Sequence, residues 1–503
     1  MDAYLLGMDI GTSVVKVGLF DANGREWAVA SRRMATLTPK LGWSEAEMNN
    51  VWEAVAIAIR ELLATAEATG DQIAAIGLTG NMIGAWLIDA DGQPVRTAIL
   101  WNDGRTTDMI KQLSEERPAF MSTIFQSSAS VMQQGCTLPL VRWLAENDPQ
   151  ALERARAVLC CKDWIRFRLT GALHTDPTEA SVLPGDIHRR DYSPAMFAWL
   201  GIEDHRHLFP PVHPSEGVAG VVSAEAAAQT GLRPGTPVVT GAGDVPASAL
   251  GAGAVDPGIA CTILGTTCLN CLVVERPMLT PPDIGLTFCL PRAGWLRVMA
   301  NIAGTTNLDW FIENFYAAER AQAATGGVLF ARLEADLTAS PPGASGVIYH
   351  PYLSQAGVIA PFFEPGARAQ FFGLSNEHRR ADLLRAIYEG TALAIRDCYA
   401  AMGVPLNEIR ISGGGAKSPV WTQMIADCTG ARVVVPEGRE FGARGAALLA
   451  GIGAGWFDDL PAASRAIGLV RAQEPQPELV VLYDDVYRRY RAIREALLPV
   501  WAS

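Results

Sequence analysis

The sequence has too little positive charge for a polyanion-binding protein. It carries 53 acidic residues against 41 basic ones, which gives a formal charge of −12 over 503 residues. This balance argues against general affinity for nucleic acid or for anionic membranes. The first residues contain no basic segment, and apolar runs such as residues 446–450 are far shorter than the roughly 20 residues of a membrane span. We therefore expect a cytoplasmic protein with no nucleic-acid or membrane partner.

Cysteine is also scarce. The nine cysteines are an odd number scattered along the chain, which favours reduced thiols over a disulfide framework. Cys268 and Cys271 have CxxC spacing, so a zinc site is one interpretation, but a second CxxC or an HxxxH pair is lacking. These cysteines interrupt apolar, strand-like runs, which favours buried thiols packed as small hydrophobic side chains.

The composition that remains is that of a well-packed protein. Hydrophobic residues make up 49% of the chain and charged residues 19%, which excludes disorder. At about 100–200 residues per domain, the length allows two to four domains. A strand, a Gly-Thr turn and a second strand are expected at residues 4–20 and again at 259–274. Because strands alternate with helices on both sides of residue 245, the sequence predicts an α/β protein built from two related halves.

Two hydroxyl-bearing glycine turns could bind phosphate. They are residues 9–13 (DIGTS) and 264–267 (LGTT), each placed between expected strands. Backbone N–H groups and hydroxyls of such turns can face phosphate oxygens, and the carboxylate of Asp9 could hold an accompanying Mg²⁺. The same residues also occur in ordinary hairpins, so both interpretations stay open.

Three further motifs suggest chemistry. Residues 241–244 (GAGD) place an acid at the end of a strand, where Asp244 is either a helix N-cap or a general base. Residues 413–416 (GGGA) do not form a P-loop, but their glycines would let a flat ligand such as adenine lie against the main chain. Residues 101–105 (WNDGR) combine an aromatic face with amide and carboxylate groups, which suits a polyhydroxylated ligand or simple packing.

The order and spacing of these motifs resemble the FGGY family of carbohydrate kinases. The resemblance runs from about residue 4 to 495 and includes residues 371–374 (FFGL) and 441–447 (FGARGAA). It implies an α/β fold of duplicated actin-like (ribonuclease H-like) ATPase domains with an interdomain cleft. Residues 1–245 would bind the sugar and carry the first phosphate turn, and residues 246–503 would bind the nucleotide. The implied cofactors are ATP and Mg²⁺, the partner is a small sugar, and a homodimer is left open.

The resemblance also assigns roles to individual residues. Asp244 looks like the catalytic base and Asp9 like the metal ligand. The predicted phosphate and nucleotide residues are Gly11, Thr12, Ser13, Lys16, Gly265, Thr266, Thr267, Gly414, Gly415 and Ala416. The predicted sugar-binding residues are Asn81, Met82, Trp101, Asp103 and Asp244.

The chain departs from the pattern of the xylulose kinases at positions that would contact the sugar. Asn81 and Ile83 stand where those enzymes carry Gln and His, Val245 follows the base instead of Asn or Gln, and Leu140 stands where Lys is expected. We expect an ATP-dependent kinase acting on a terminal hydroxyl of a ketopentose of the xylulose type. The alternatives are a kinase for an erythritol-like polyol or a modified ketose, and a non-catalytic actin-like ATP-binding regulator.

Overall fold

The computed structural model describes residues 3–292, 294–323 and 326–502. The chain divides into two compact units, neither of which is continuous in sequence. The first unit consists of Met1–Asp256, Val274–Leu296 and Glu437–Gly468, and the second of Pro257–Val273, Arg297–Pro436 and Leu469–Ser503. A division into domains at residue 245 stays a prediction.

Strands and helices alternate along the chain. The strands are β1 (Tyr4–Ile10), β2 (Val14–Phe20), β3 (Glu26–Arg33), β4 (Glu45–Ala46), β5 (Ile73–Gly80), β6 (Trp86–Ile88), β7 (Ala98–Ile99), β8 (Ala157–Leu159), β9 (Val218–Val221), β10 (Pro237–Val239), β11 (Ala242–Gly243), β12 (Ile259–Leu264), β13 (Cys268–Val274), β14 (Leu286–Cys289), β15 (Trp295–Asn301), β16 (Ile348–His350), β17 (Gln370–Phe372), β18 (Glu408–Ser412), β19 (Arg432–Pro436) and β20 (Leu469–Gln473). The helices are α1 (Met48–Thr65), α2 (Thr107–Glu116), α3 (Phe120–Ser128), α4 (Thr137–Asn147), α5 (Pro149–Arg154), α6 (Cys161–Thr170), α7 (Pro177–Ala180), α8 (Pro194–Leu200), α9 (Ala224–Thr230), α10 (Asp244–Ala252), α11 (Thr306–Phe315), α12 (Ala317–Gln322), α13 (Gly326–Ala339), α14 (Arg380–Met402), α15 (Pro419–Thr429), α16 (Phe441–Gly453), α17 (Leu460–Arg465) and α18 (Pro477–Trp501).

Both units contain a mixed sheet built on the same plan. In the first unit the strand order is β3-β2-β1-β5-β10-β9, with β11 beside β5. Strand β1 runs antiparallel to β2 and parallel to β5. In the second unit the order β15-β13-β12-β18-β19-β20 repeats this arrangement, with β12 antiparallel to β13 and parallel to β18. The predicted α/β class and its duplicated plan are confirmed.

Local sequence explains the elements that frame the first sheet. Strand β1 is an almost continuous apolar run, and its residues are buried except for the half-buried Asp9, as expected of a central strand covered on both faces. Helix α1 buries Val51, Val55, Ile59 and Leu62, which recur at helical spacing. The core of this unit therefore lies between the sheet and α1 on one face.

Helix α16 covers the sheet of the first unit at backbone distance. A Cβ atom added to Gly7 in β1 would lie 1.9 Å from the carbonyl oxygen of Ala443, and one added to Gly77 in β5 would lie 1.8 Å from that of Ala446. The helix also meets α10 closely, because a Cβ on Gly445 would lie 1.9 Å from the carbonyl oxygen of Ala247. Glycine is therefore required on both sides of this contact.

The cysteines are packed in the interior. All nine are free and buried, and Cys261 lies opposite Cys271 in the β12–β13 ladder. Burial raises the pKa of Cys261 and of Cys268 to about 12, which disfavours the thiolate that a zinc ligand requires. In residues 3–292, 294–323 and 326–502, no cluster of three or more His, Cys, Asp or Glu side chains is arranged to hold a metal ion. No helix in the described part of the chain is long and apolar enough to cross a membrane.

Substitution of Gly77 by Ala tests the contact between α16 and the sheet. Forcing a methyl group against a carbonyl oxygen should cost about 1–3 kcal/mol of stability, so the midpoint of thermal unfolding should fall by several degrees. Gly326→Ala is the control, since a Cβ at Gly326 meets no atom within 4 Å. Equal unfolding midpoints for the two variants, measured by differential scanning fluorimetry, would contradict the close packing.

Candidate active site

Two carboxylates of the first unit are placed by neighbouring elements of its sheet. Asp9 lies near the end of β1, in register with Lys16 of β2 and Thr79 of β5. Asp244 is the first residue of α10. The short strand β11 before it pairs with β5, and the Thr79 hydroxyl donates to the carbonyl oxygen of Ala242 at 2.7 Å. The position of Asp244 is therefore fixed by the same strand that neighbours Asp9.

Desolvation governs the charge of Asp244. The N–H of Val245 donates to Asp244 Oδ1 at 2.8 Å, and the helix N-terminus favours a negative charge, so both would lower its pKa. Burial and the charge of Asp9 outweigh them and raise the pKa of Asp244 to about 7. A carboxyl group with this pKa is suited to accept a proton near neutral pH.

Opposing effects also act on the pKa of Asp9. Burial raises its pKa to about 6, Lys16 lowers it, and Glu440 raises it. Lys16 is itself paired with Glu440, with 2.7 Å between Nζ and Oε2. Lys16 therefore divides its attraction between Asp9 and Glu440, and the pKa values of Asp9 and Asp244 both lie close to neutral pH.

A cavity of about 170 Å³ opens beside Asp244 within the first unit. Its polar lining consists of Asn81, Ser130, Gln133 and Asp244. The apolar lining consists of Met82, Ile83, Trp101, Val131, Cys136, Val182, Val245, Leu286 and Phe288. The indole Nε1 of Trp101 donates to Thr12 Oγ1 at 2.9 Å, which joins the cavity to the first glycine turn.

The structure gathers most of the predicted sugar-binding residues around this cavity. Asn81, Met82, Trp101 and Asp244 all line it. Asn81 is held by its own Nδ2, which donates to the carbonyl oxygen of Ile10 at 3.1 Å, while its buried Oδ1 has no hydrogen-bond partner among the described residues. An unpartnered buried acceptor is costly to stability, and the contact of Asn81 with a sugar stays a prediction.

Asp103 lies outside the lining of the cavity. It is fully buried, and its carboxylate accepts hydrogen bonds from Ser44 N at 2.7 Å and from Arg105 Nε at 2.8 Å. Arg105 in turn forms an ion pair with Glu45 at 2.5 Å. In this structure Asp103 organises the loop that carries Trp101, and a direct contact with sugar stays a prediction.

Sequence reasoning did not identify several of the lining residues. Gln133, Val182 and Phe288 come from separate segments without a recognisable motif, so only the folded chain brings them together. Leu140, which stands where Lys was expected, is fully buried on α4.

Glu179 is a further residue that the sequence did not reveal. Its Oε2 accepts a hydrogen bond from the N–H of Ile83 at 2.9 Å, and Ile83 has a φ of +54°, which a β-branched residue rarely adopts. Burial raises the pKa of Glu179 to about 8, although Lys162 lowers it. Glu179 therefore holds one wall of the cavity in a strained conformation.

Each of the two predicted phosphate turns is closed by a hydrogen bond from the N–H of its glycine, over three residues in the first unit and two in the second. Gly11 N donates to Val14 O at 3.1 Å in the first unit, and Gly265 N donates to Thr267 O at 3.0 Å in the second. Ser13, Thr266 and Thr267 are exposed. In the second unit, Thr305 N donates to Gly265 O at 2.7 Å. The sequence GTT at residues 304–306, which follows a strand, could have revealed this third turn.

A second cavity, of about 380 Å³, lies within the second unit. Gly414 and Gly415 line it together with Lys417, Ser418, Trp421, Tyr388, Thr305, Leu308, Asp309, Phe330 and Glu334. The rings of Tyr388 and Trp421 have centroids 4.4 Å apart, are tilted by 41° to each other, and form an aromatic wall. Ala416 lies outside the lining, where its carbonyl oxygen accepts a hydrogen bond from Arg471 at 2.7 Å. The predicted adenine contact of Ala416 stays a prediction.

The residues present fit a magnesium ion that arrives with a nucleotide. Mg²⁺ prefers oxygen ligands and is commonly bound through one or two carboxylates plus substrate phosphates and water. Asp9 and Asp244 supply two carboxylates whose mutual repulsion a divalent cation would relieve. When bound, Mg²⁺ neutralises negative charge on the transferring phosphate.

Family models match both parts of the chain. The model of the N-terminal domain of the FGGY family of carbohydrate kinases matches residues 4–251, and that of the C-terminal domain matches residues 260–454. The chain belongs to the FGGY family of carbohydrate kinases. It is therefore a sugar phosphotransferase that uses ATP with Mg²⁺, as the motifs predicted.

Relatives extend the likeness over the full length. The chain is 35% identical to an erythritol kinase of Brucella abortus, covering 99% of this chain and 97% of the relative. It is 30% identical to an L-xylulose/3-keto-L-gulonate kinase of Escherichia coli, covering 99% and 98%. Among solved structures, a xylulose kinase of Rhodospirillum rubrum superposes with a TM-score of 0.88 at 27% identity, covering 99% and 100%. The two-domain actin-like ATPase fold is confirmed.

Asp244→Asn should stabilise the protein in a pH-dependent way. Because the folded-state pKa lies above that of the unfolded chain, ionisation of Asp244 costs stability as the pH rises from about 4 to about 7. Removing the charge should therefore raise stability by about 0.5–2 kcal/mol at pH 8, and by less at pH 5. Thermal unfolding without nucleotide or Mg²⁺ measures the difference, and a variant less stable than the wild type at pH 8 would contradict it.

Glu179→Ala should weaken sugar binding selectively. Loss of the acceptor leaves the buried N–H of Ile83 unpaired, at a cost of about 1–3 kcal/mol, and releases the strained residue. We expect a severalfold higher KM for the sugar with an unchanged KM for ATP. Glu179→Gln is the matched control, since its amide oxygen can still accept the hydrogen bond. Steady-state kinetics in which Gln and Ala behave alike would exclude this positioning role.

Proposed function

We propose that this protein transfers the γ-phosphoryl group of ATP to a terminal hydroxyl of a small ketose or polyol, with Asp244 as general base. The observation that carries the proposal is the Asp244 carboxyl, whose pKa is raised to about 7 beside a cavity of about 170 Å³ that Trp101 also lines. A partly buried base next to an aromatic face suits a sugar hydroxyl at neutral pH.

The chemical step needs little from the protein beyond positioning and charge. Asp244 takes the proton of the terminal hydroxyl while the hydroxyl oxygen of the sugar attacks the γ-phosphorus of ATP. The bond between the γ-phosphorus and the bridging oxygen of ADP breaks. The products are ADP and a sugar phosphate. Trp101 and Asn81 would orient the sugar so that this hydroxyl faces Asp244.

The second cavity supports a nucleotide site. Its ring wall and the exposed Gly414 suit a purine base, while Thr266 and Thr267 offer hydroxyls to phosphate. Gly11, Thr12, Ser13 and Lys16 would serve the transferring phosphate in the first unit. Transfer requires sugar and nucleotide to meet, so the predicted interdomain cleft is part of this proposal.

The position of Asp244 does not by itself identify the sugar. A ketopentose of the xylulose type is our first candidate, and an erythritol-like polyol is the second. The names of the relatives favour both, since they include an erythritol kinase and an L-xylulose kinase. A non-catalytic regulator would have no use for a poised base at Asp244. A cytoplasmic location and a homodimer stay predictions.

An ADP-release assay over ketoses, tetritols, pentitols and glycerol tests the proposal. At least one compound should stimulate ADP formation, and Asp244→Asn should lower kcat for that compound by about 10²–10⁴-fold. Asn keeps the shape of the side chain, and thermal unfolding verifies that the variant is folded. Turnover by Asp244→Asn close to that of the wild type would remove Asp244 from the role of base.

A further inference from the structure

We propose that the substrate carries an apolar segment, as a deoxy or C-methyl ketose or polyol does. This inference rests on the proposed function, because it concerns the sugar that Asp244 would deprotonate. It follows from the scarcity of free polar groups around the cavity in the first unit.

Two of the four polar side chains in the lining, Ser130 and Asn81, already form hydrogen bonds within the protein. The Ser130 hydroxyl accepts a hydrogen bond from Thr287 N at 2.8 Å and donates to Thr287 O at 3.1 Å. The amide nitrogen of Asn81 donates to Ile10 O at 3.1 Å. The polar side chains that remain for a ligand are Gln133 and Asp244, because Asn81 Oδ1 is itself buried. Because Asp244 is assigned to the reacting hydroxyl, one polar side chain of the lining, Gln133, is left for the rest of the molecule.

The hydrocarbon side chains that make up most of the remaining wall cannot bond to hydroxyls. Ile83, Val131, Val182, Val245, Leu286 and Phe288 present hydrocarbon to the cavity. A hydroxyl placed against these side chains gives up its hydrogen bonds to water and receives none in return. A methyl or methylene group at the same place gains from leaving water.

The wall is also held in place, so it cannot easily turn a polar group inward. Ile83 keeps its left-handed conformation through the hydrogen bond to Glu179. Val245 follows Asp244 at the start of α10, which α16 holds at backbone distance. Apolar contacts of this kind discriminate by about ten- to two-hundredfold per methylene group.

Two pairs of compounds that keep a terminal hydroxyl test the inference. They are D-xylulose against 1-deoxy-D-xylulose, and erythritol against 2-C-methyl-D-erythritol. We expect kcat/KM to be at least about tenfold higher for the deoxy or methylated member of a pair. Preference for the member without the deoxy or C-methyl group, wherever turnover is seen, would overturn the inference while leaving the kinase proposal intact. If no compound in the wider panel stimulated ADP formation or shifted the unfolding midpoint, the kinase proposal would fail, and this inference with it.

Val245 offers a matched pair of variants for the same question. Val245→Thr has nearly the same shape but adds a hydroxyl, and should move the ratio of kcat/KM within a pair by about tenfold toward the member without the deoxy or C-methyl group. Val245→Ile keeps the wall apolar and should retain the wild-type preference. Unfolding midpoints verify that both variants fold. An unchanged ratio in Val245→Thr, or the same shift in Val245→Ile, would overturn the role of the wall.

Discussion

The close contact of α16 with β1, β5 and α10 is the constraint on which the candidate site depends. Carbonyl oxygens of the helix lie where the Cβ atoms of Gly7 and Gly77 would be, so the helix cannot shift without losing the contact. A Cβ on Gly442 of the same helix would lie 2.4 Å from Asp9 Oδ2. One helix, contributed by a segment far along the chain, therefore fixes both the strand that carries Asp9 and the helix that begins with Asp244.

That packing forces two carboxylates into an unfavourable arrangement. Burial raises both pKa values, and Asp9 adds to the effect on Asp244. Lys16 relieves this unfavourable arrangement only in part, because Lys16 also forms an ion pair with Glu440. Such a cost is typical of sites where function and stability conflict. The same desolvation that destabilises the charged form gives Asp244 a pKa suited to proton transfer.

The sequence predicted those parts of the site whose geometry depends on neighbouring residues in the chain. Turns rich in glycine and hydroxyl groups, such as residues 9–13, follow strands, and their geometry depends on a few neighbouring residues. Asn81, Met82 and Trp101 were found because their motifs match a family pattern, and the structure gathers them around one cavity. Gln133 and Phe288 belong to no motif, and their place depends on tertiary contacts such as that between Ser130 and Thr287. Asp103 also belongs to a motif, but in the structure its carboxylate binds Arg105 and it lies outside the lining of the cavity, so its contact with a sugar stays a prediction.

The sequence predicts the reaction better than the substrate, and the reason is again whether the residues form local motifs. Phosphoryl transfer needs glycine turns, a base and carboxylates for Mg²⁺, and these recur in the same order throughout a family. Substrate choice depends on which lining atoms can bond to hydroxyls, and a single side chain changes that without touching the motifs. Ile83 and Val245 are isolated departures in the sequence, yet in the structure they line the same cavity. Both stand where the xylulose kinase pattern has polar residues, so together they reduce the polar surface of one cavity. This is why family membership identifies the chemistry, whereas the shape and polarity of one cavity decide which sugar undergoes it.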